Sequence, residues 1–177
     1  MGVLTVLLGG ARSGKSSLAL LLAGRYSPSV TFIATAEALD KDMAARIERH
    51  RAERPTWTTI EEPRDLVGAI DEVDPSHALV VDCLTMWATN LLLDGHTEDE
   101  VLSRSGRAID AVLRRSGPTI AITNEVGLGI VPVTELGREF RDVLGRINQQ
   151  WFTQAINPYF VVAGLIFRAE NPLQEIQ

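Results

Sequence analysis

Short unbroken apolar runs alternate along the chain with longer stretches in which apolar residues recur every three or four positions. The runs Val3 to Leu8, Val30 to Ala34, Ala78 to Val81, Thr119 to Thr123 and Tyr159 to Ala163 read as strands buried on both faces, because a parallel strand covered by helices has no polar side. The stretches Ser16 to Arg25, Asp40 to Arg54, Pro63 to Val73, Met86 to about Leu93, Glu98 to Arg115 and Thr134 to Ala155 read as helices. Asp40 stands where it can cap its helix, and Pro55 lies just past the end. Strands and helices alternate without a long hairpin signal. The expected fold class is therefore α/β, an open and mostly parallel sheet of five strands covered on both faces, three layers deep.

Length adds one constraint. A chain of 177 residues can bury a real core but is too short for two full-sized units, so residues 1–177 are expected to form a single domain. The apolar share of 45% and the charged share of 23% are those of an ordinary globular protein. Seventeen basic against 23 acidic residues leave a net charge of −6, the wrong sign for non-specific attraction to nucleic acid. The longest apolar stretches, such as Leu18 to Ala23 and Tyr159 to Phe167, fall well short of a bilayer span, and no export signal opens the chain. A cytoplasmic protein is expected. The one cysteine, Cys83, fits a reducing compartment and reads as a small packing residue rather than a reactive thiol. His77 and His96 lie in turn-like sequence without partners at metal-ligand spacing, which gives no zinc site.

Chemistry enters where the first strand meets the first helix. Gly9-Gly10-Ala11-Arg12-Ser13-Gly14-Lys15-Ser16 satisfies the phosphate-loop pattern G-x-x-x-x-G-K-[ST] in the strand-to-helix context that the motif needs. Glycines let successive N–H groups turn inward around phosphate oxygens, and the helix start adds its positive end. Lys15 can then reach the terminal phosphates of ATP or GTP, and Ser16 can offer its hydroxyl oxygen to Mg²⁺. A chance match is expected on the order of once in a hundred such sequences. The fold class narrows to a three-layer P-loop NTPase domain with a mostly parallel sheet, RecA-like in kind.

Two further positions are open to a functional and a structural reading. Asp82 closes the run Leu79-Val80-Val81; it is either the acid that supports the metal or a turn residue. His50 shares a helical face with Met43 and Ile47, among Arg46, Arg49, Arg51 and Arg54. Guanidinium groups disfavour a charged imidazole and gather phosphate oxygens, which suits a histidine nucleophile at phosphorus; the alternative is a partly buried histidine on a basic face.

The loop at Gly9 to Ser16, followed by Phe32-Ile-Ala-Thr-Ala36, Asp42-Met-Ala-Ala-Arg-Ile47, His50 and Arg54-Pro55, resembles the bifunctional adenosylcobinamide kinase/adenosylcobinamide-phosphate guanylyltransferase family. The likeness continues in order through Asp82-Cys-Leu-Thr85, Thr89-Asn90-Leu91-Leu92, Thr123-Asn-Glu-Val-Gly-Leu-Gly-Ile-Val-Pro132, and Arg138 to Asn148-Gln149. At Asp82 some members of that family carry the longer Glu.

The resemblance implies two reactions of cobalamin biosynthesis: phosphorylation of adenosylcobinamide, then transfer of GMP from GTP to the resulting phosphate with release of pyrophosphate. It makes His50 the residue that carries GMP. It also implies nucleotide contacts at the phosphate loop, at Ala34, Thr35 and Ala36, at Arg51, Ala52, Glu53 and Arg54, and at Glu61 and Asp82. Precedent in the family points to a homo-oligomer, with a trimer as the form to test and the Thr134 to Ala155 helix as one contact surface; an amphipathic helix covering its own sheet explains the same pattern. Two other readings remain at this point: a P-loop kinase without GMP transfer, and a nucleotide-responsive binding module.

Overall fold

The computed structural model describes residues 2–37 and 57–170. Among these, seven strands form one sheet: β1 (Leu4–Gly9), β2 (Val30–Ala34), β3 (Thr58–Glu61), β4 (Ala78–Asp82), β5 (Thr119–Asn124), β6 (Asn157–Val162) and β7 (Leu165–Arg168), in the order β3-β2-β4-β5-β1-β6-β7. Every neighbouring pair is parallel except β6 and β7. The helices are α1 (Lys15–Tyr26), α2 (Leu66–Glu72), α3 (Leu84–Leu93), α4 (Glu98–Arg114) and α5 (Glu135–Gln154). The expected helix over Asp40 to Arg54 lies outside the described residues.

Burial on both sides explains the unbroken apolar runs. On one face Leu7, Phe32, Val80, Ile120 and Ile122 pack against Ala19 and Ala23 of α1. On the other, Leu4, Val6, Ile33, Leu79, Val81 and Ala121 meet α2 to α5. Each Leu or Ile fully withdrawn from water contributes about 1.5–3 kcal/mol. The two large aromatic residues of that second face are also satisfied as donors: Trp87 Nε1 donates to the Arg64 carbonyl at 2.9 Å, and Trp151 Nε1 to Ser105 Oγ at 3.1 Å. The sheet with helices on both sides matches the expected three layers.

Among the described residues, side-chain caps mark three of the five helix starts, with Asp65 accepting from the Gly68 N–H before α2. Thr97 and Glu100 form a capping box at the start of α4, and Thr134 accepts from the Gly137 N–H at the start of α5. The start of α3 differs from the expected Met86: the helix begins at Leu84, and its capping residue Cys83 makes no side-chain cap hydrogen bond. With no capping side chain, the sequence carries no mark of that first turn.

The expected count of five strands is corrected to seven among the described residues. β3 is a short, largely exposed edge strand of Thr, Thr, Ile and Glu, so burial left no apolar run to find. β7 is exposed along its whole length and pairs antiparallel with β6 through a turn in which Ala163 and Gly164 have φ of 51° and 80°. Positive φ at both turn positions is what a tight hairpin requires, but Ala replaces the usual Asn or Asp, which hid the hairpin. The α5 helix does cover its own sheet, through Val143, Leu144, Ile147 and Trp151.

Candidate functional site

Parallel strands bring their C-terminal ends to one edge, and here that edge collects the chemistry. Register pairing places Gly9 beside Asn124, Asp82 beside Ala34, and Ala34 beside Glu61. Thr35 continues from β2 and donates its N–H to the Asp82 carbonyl at 3.1 Å. Its hydroxyl donates to the Cys83 carbonyl at 2.7 Å and accepts from the Cys83 N–H at 2.8 Å. Ala34, Thr35, Ala36, Glu61, Asp82 and the loop from Gly9 to Ser16 thus share one rim. His50, Arg51, Ala52, Glu53 and Arg54 lie outside the described residues.

The loop has the backbone that its glycines license. Gly14 precedes α1 with φ of 99°, and Arg12 has φ of 58°, so the chain enters the left-handed region twice before the helix. A side chain on Gly9 would collide with the Val161 carbonyl of β6. The hairpin turn closes on the same loop, with the Gly164 N–H donating to the Ser13 carbonyl at 2.8 Å. Such a loop at a helix N-terminus presents N–H groups and a positive dipole end to an anion.

Lys15 is 6% exposed. Its ammonium donates to the carbonyls of Gly9 and Gly10, each at 2.7 Å, and to Ser13 Oγ at 3.3 Å. The charge is therefore drawn into the mouth of the loop by its own backbone. Ser16, half-buried in the first turn of α1, makes no side-chain hydrogen bond among the described residues. Strand alternation puts Asp82 on the α1 face, because Val80, two residues earlier, packs there.

Residues that sequence reasoning left without a role brace this rim from behind. Thr123 Oγ1 donates to Asn148 Oδ1 at 2.7 Å, Asn148 Nδ2 to the Asn124 carbonyl at 3.1 Å, and the Asn124 N–H to Thr85 Oγ1 at 2.8 Å. Asn90 donates to the carbonyls of Thr35 and Pro63 at 2.8 and 3.1 Å, tying the ends of β2 and β3 to α3. Outside that tie, Arg64 bridges Glu37 and Asp94 at 2.7 and 2.6 Å, and the bridge holds the Asp94 carboxyl below its ordinary range. The available signal was Asn or Thr at buried positions of otherwise apolar elements.

Cys83 sits between Asp82 and α3. Burial pushes its thiol up to about 12, and the Asp82 charge adds to the rise. Thiolate is the reactive form, so at pH 8 the folded protein should alkylate with iodoacetamide at least about a hundredfold more slowly than the protein unfolded in urea. Equal rates would refute the packing role.

The fold is shared with a solved ATPase. A structure of an ATPase from a bacterial type III secretion system superposes with a TM-score of 0.58 over 95% of this chain and 57% of that one, at 12% identity. The model of the cobinamide kinase / cobinamide phosphate guanyltransferase family matches residues 5–169. The chain belongs to this family. It is 41% identical to the bifunctional adenosylcobalamin biosynthesis protein CobP of Pseudomonas aeruginosa, with 90% of this chain and 93% of that protein covered. It is 40% identical to the corresponding CobU protein of Escherichia coli, with 92% and 97% covered. The recognition made from the ordered motifs and this membership agree.

Proposed function

We propose that this chain is one catalytic domain that phosphorylates adenosylcobinamide with ATP or GTP, and then transfers GMP from GTP to adenosylcobinamide phosphate through a guanylyl-histidine at His50. The observation that carries the reading is a phosphate loop set on the same sheet edge as Ala34 to Ala36, Glu61 and Asp82, in a chain of this family.

In the first step the loop amides and Lys15 hold the triphosphate, the substrate hydroxyl attacks the γ-phosphorus, and the nucleoside diphosphate leaves. Ser16 and Asp82 fit Mg²⁺, since both offer oxygen and both belong to the α1 side of the sheet. When bound, the ion neutralises charge on the β- and γ-phosphate oxygens.

In the second step a neutral His50 nitrogen attacks the α-phosphorus of GTP and pyrophosphate departs. A phosphate oxygen of adenosylcobinamide phosphate then attacks that phosphorus, which breaks the phosphorus–nitrogen bond, restores His50 and yields adenosylcobinamide-GDP. Arg51, Ala52, Glu53 and Arg54 follow His50 in sequence and complete the nucleotide contacts.

The decisive experiment supplies adenosylcobinamide, ATP and GTP to the pure protein and follows both products by chromatography, with α-labelled GTP to mark the protein. Acid-labile label together with both products supports the bifunctional reading. Phosphorylation without label would leave a kinase alone, and neither product would leave a binding module.

The chain acts as a homo-oligomer in the cytoplasm, with the trimer that the family resemblance implies. Supporting the assembly, the loop before α5 and its first turn expose Leu128 (82%), Ile130 (98%), Val133 (94%) and Leu136 (48%), an apolar group of the kind that marks a protein contact. Light scattering should give a mass above the monomer for the native chain and a lower one for Ile130→Asp/Val133→Asp; a monomeric native chain refutes the assembly. No helix among the described residues is long and apolar enough to cross a membrane.

A further inference from the structure

Asn124 ends β5, and β5 lies between the phosphate-loop strand β1 and the acid-bearing strand β4. Its partner in β1 is Gly9, while in β4 Asp82 pairs with Ile122, two residues back. Ile120 and Ile122 both pack on the α1 face, so alternation sends the Asn124 side chain to that face as well. Thr123 points the other way, toward Asn148 of α5. Asn124 therefore stands between the phosphate loop and Asp82, on the side where α1 begins at Lys15 and Ser16.

The backbone of this residue is held with unusual care. Its N–H donates to Thr85 Oγ1 at 2.8 Å and its carbonyl accepts from Asn148 Nδ2 at 3.1 Å. Thr85 and Asn148 are themselves buried, at 5% and 6% exposure. The next residue is fixed to the loop strand, with the Glu125 N–H donating to the Gly9 carbonyl at 3.1 Å. The half-buried Asn124 carboxamide, by contrast, has no hydrogen-bond partner among the described residues. Two buried polar side chains anchor one backbone unit and leave its side chain to be used elsewhere. A carboxamide offers two N–H donors with no net charge, which suits a crowded set of phosphate oxygens.

We propose that Asn124 is a catalytic residue of the phosphoryl-transfer step, its carboxamide donating a hydrogen bond to an oxygen of the transferred γ-phosphoryl group. Thr85 and Asn148 are the positioning residues that aim it. The assignment rests on the kinase reading above. In that step the substrate hydroxyl oxygen bonds to the γ-phosphorus, and the bond from that phosphorus to the bridging oxygen breaks. The electron pair leaves with the nucleoside diphosphate, and the hydroxyl proton passes to the transferred group. Negative charge shifts during the transfer, and a donor held by a fixed backbone needs no reorganisation to meet it.

The test compares steady-state phosphorylation of adenosylcobinamide by the wild type, Asn124→Ala and Asn124→Asp, with ATP affinity and melting temperature measured in parallel. For Asn124→Ala, kcat should fall on the order of a hundredfold, with ATP affinity and melting temperature close to those of the wild type, because the stabilisation is realised in the transition state. Asn124→Asp should fall further, since its carboxylate repels the phosphoryl oxygens. A kcat for Asn124→Ala within about threefold of an active wild type overturns the assignment alone. A loss matched by equal losses in ATP affinity or melting temperature overturns it too, in favour of a structural role. A wild type that phosphorylates no adenosylcobinamide overturns the kinase reading and this assignment together.

Discussion

Lys15→Met should abolish both steps, lowering kcat/KM for phosphorylation on the order of a thousandfold and cutting the labelling of the protein by α-labelled GTP to background. The ammonium lies in the mouth of the loop, bonded to the carbonyls of Gly9 and Gly10 and to Ser13 Oγ. When a triphosphate binds, the same group exchanges neutral acceptors for charged phosphate oxygens, which bind a cation more strongly. Methionine keeps the length of the stem and removes the charge. It also removes one of two donors from each of the Gly9 and Gly10 carbonyls, which keep the N–H groups of Glu125 and Ser13, so melting temperature must be followed alongside activity. A variant that melts normally and binds ATP with wild-type affinity would show that Lys15 is not the phosphate ligand. Lys15→Arg should not restore activity, because the planar guanidinium cannot enter a pocket shaped for a compact ammonium.

His50→Asn should separate the two reactions. Phosphorylation of adenosylcobinamide should persist within a few-fold, since no bond to His50 forms in that step. Formation of adenosylcobinamide-GDP and of acid-labile protein label should fall by at least about a thousandfold, because without a nitrogen nucleophile the covalent route is closed. The measurement is single-turnover labelling with α-labelled GTP, followed by chase with adenosylcobinamide phosphate. Label that survives in the variant removes His50 from the mechanism. Simultaneous loss of both activities would instead assign His50 to nucleotide binding.

These two residues illustrate unequal legibility. Lys15 could be placed from eight consecutive letters, because the motif, its preceding strand and its following helix are all local. His50 needed the long ordered likeness to a family, since an imidazole among arginines is ambiguous on its own. Asp82 was ambiguous for a different reason: a strand-terminal acid is common, and only the pairing of β4 with β2 and the packing of Val80 on the α1 side place it on the rim with Ala34.

The elements missed were those with weak burial. β3 and β7 are edge strands whose exposed residues carry no apolar pattern, and the turn joining β6 to β7 uses Ala163 where Asn or Asp would have signalled it. That hairpin nonetheless matters to the site, because Gly164 holds the Ser13 carbonyl.

By itself the sequence determined the buried strands, most of the helices and the phosphate loop, since each depends on side-chain periodicity or on glycine conformations within a few neighbouring residues. Only the tertiary structure decided that β5 separates β1 from β4, and hence that Asn124 stands beside Gly9 on the face shared with Asp82. Parallel neighbours are joined by long crossovers, so which strand lies next to which follows from how the helices cover the two faces, not from their order along the chain.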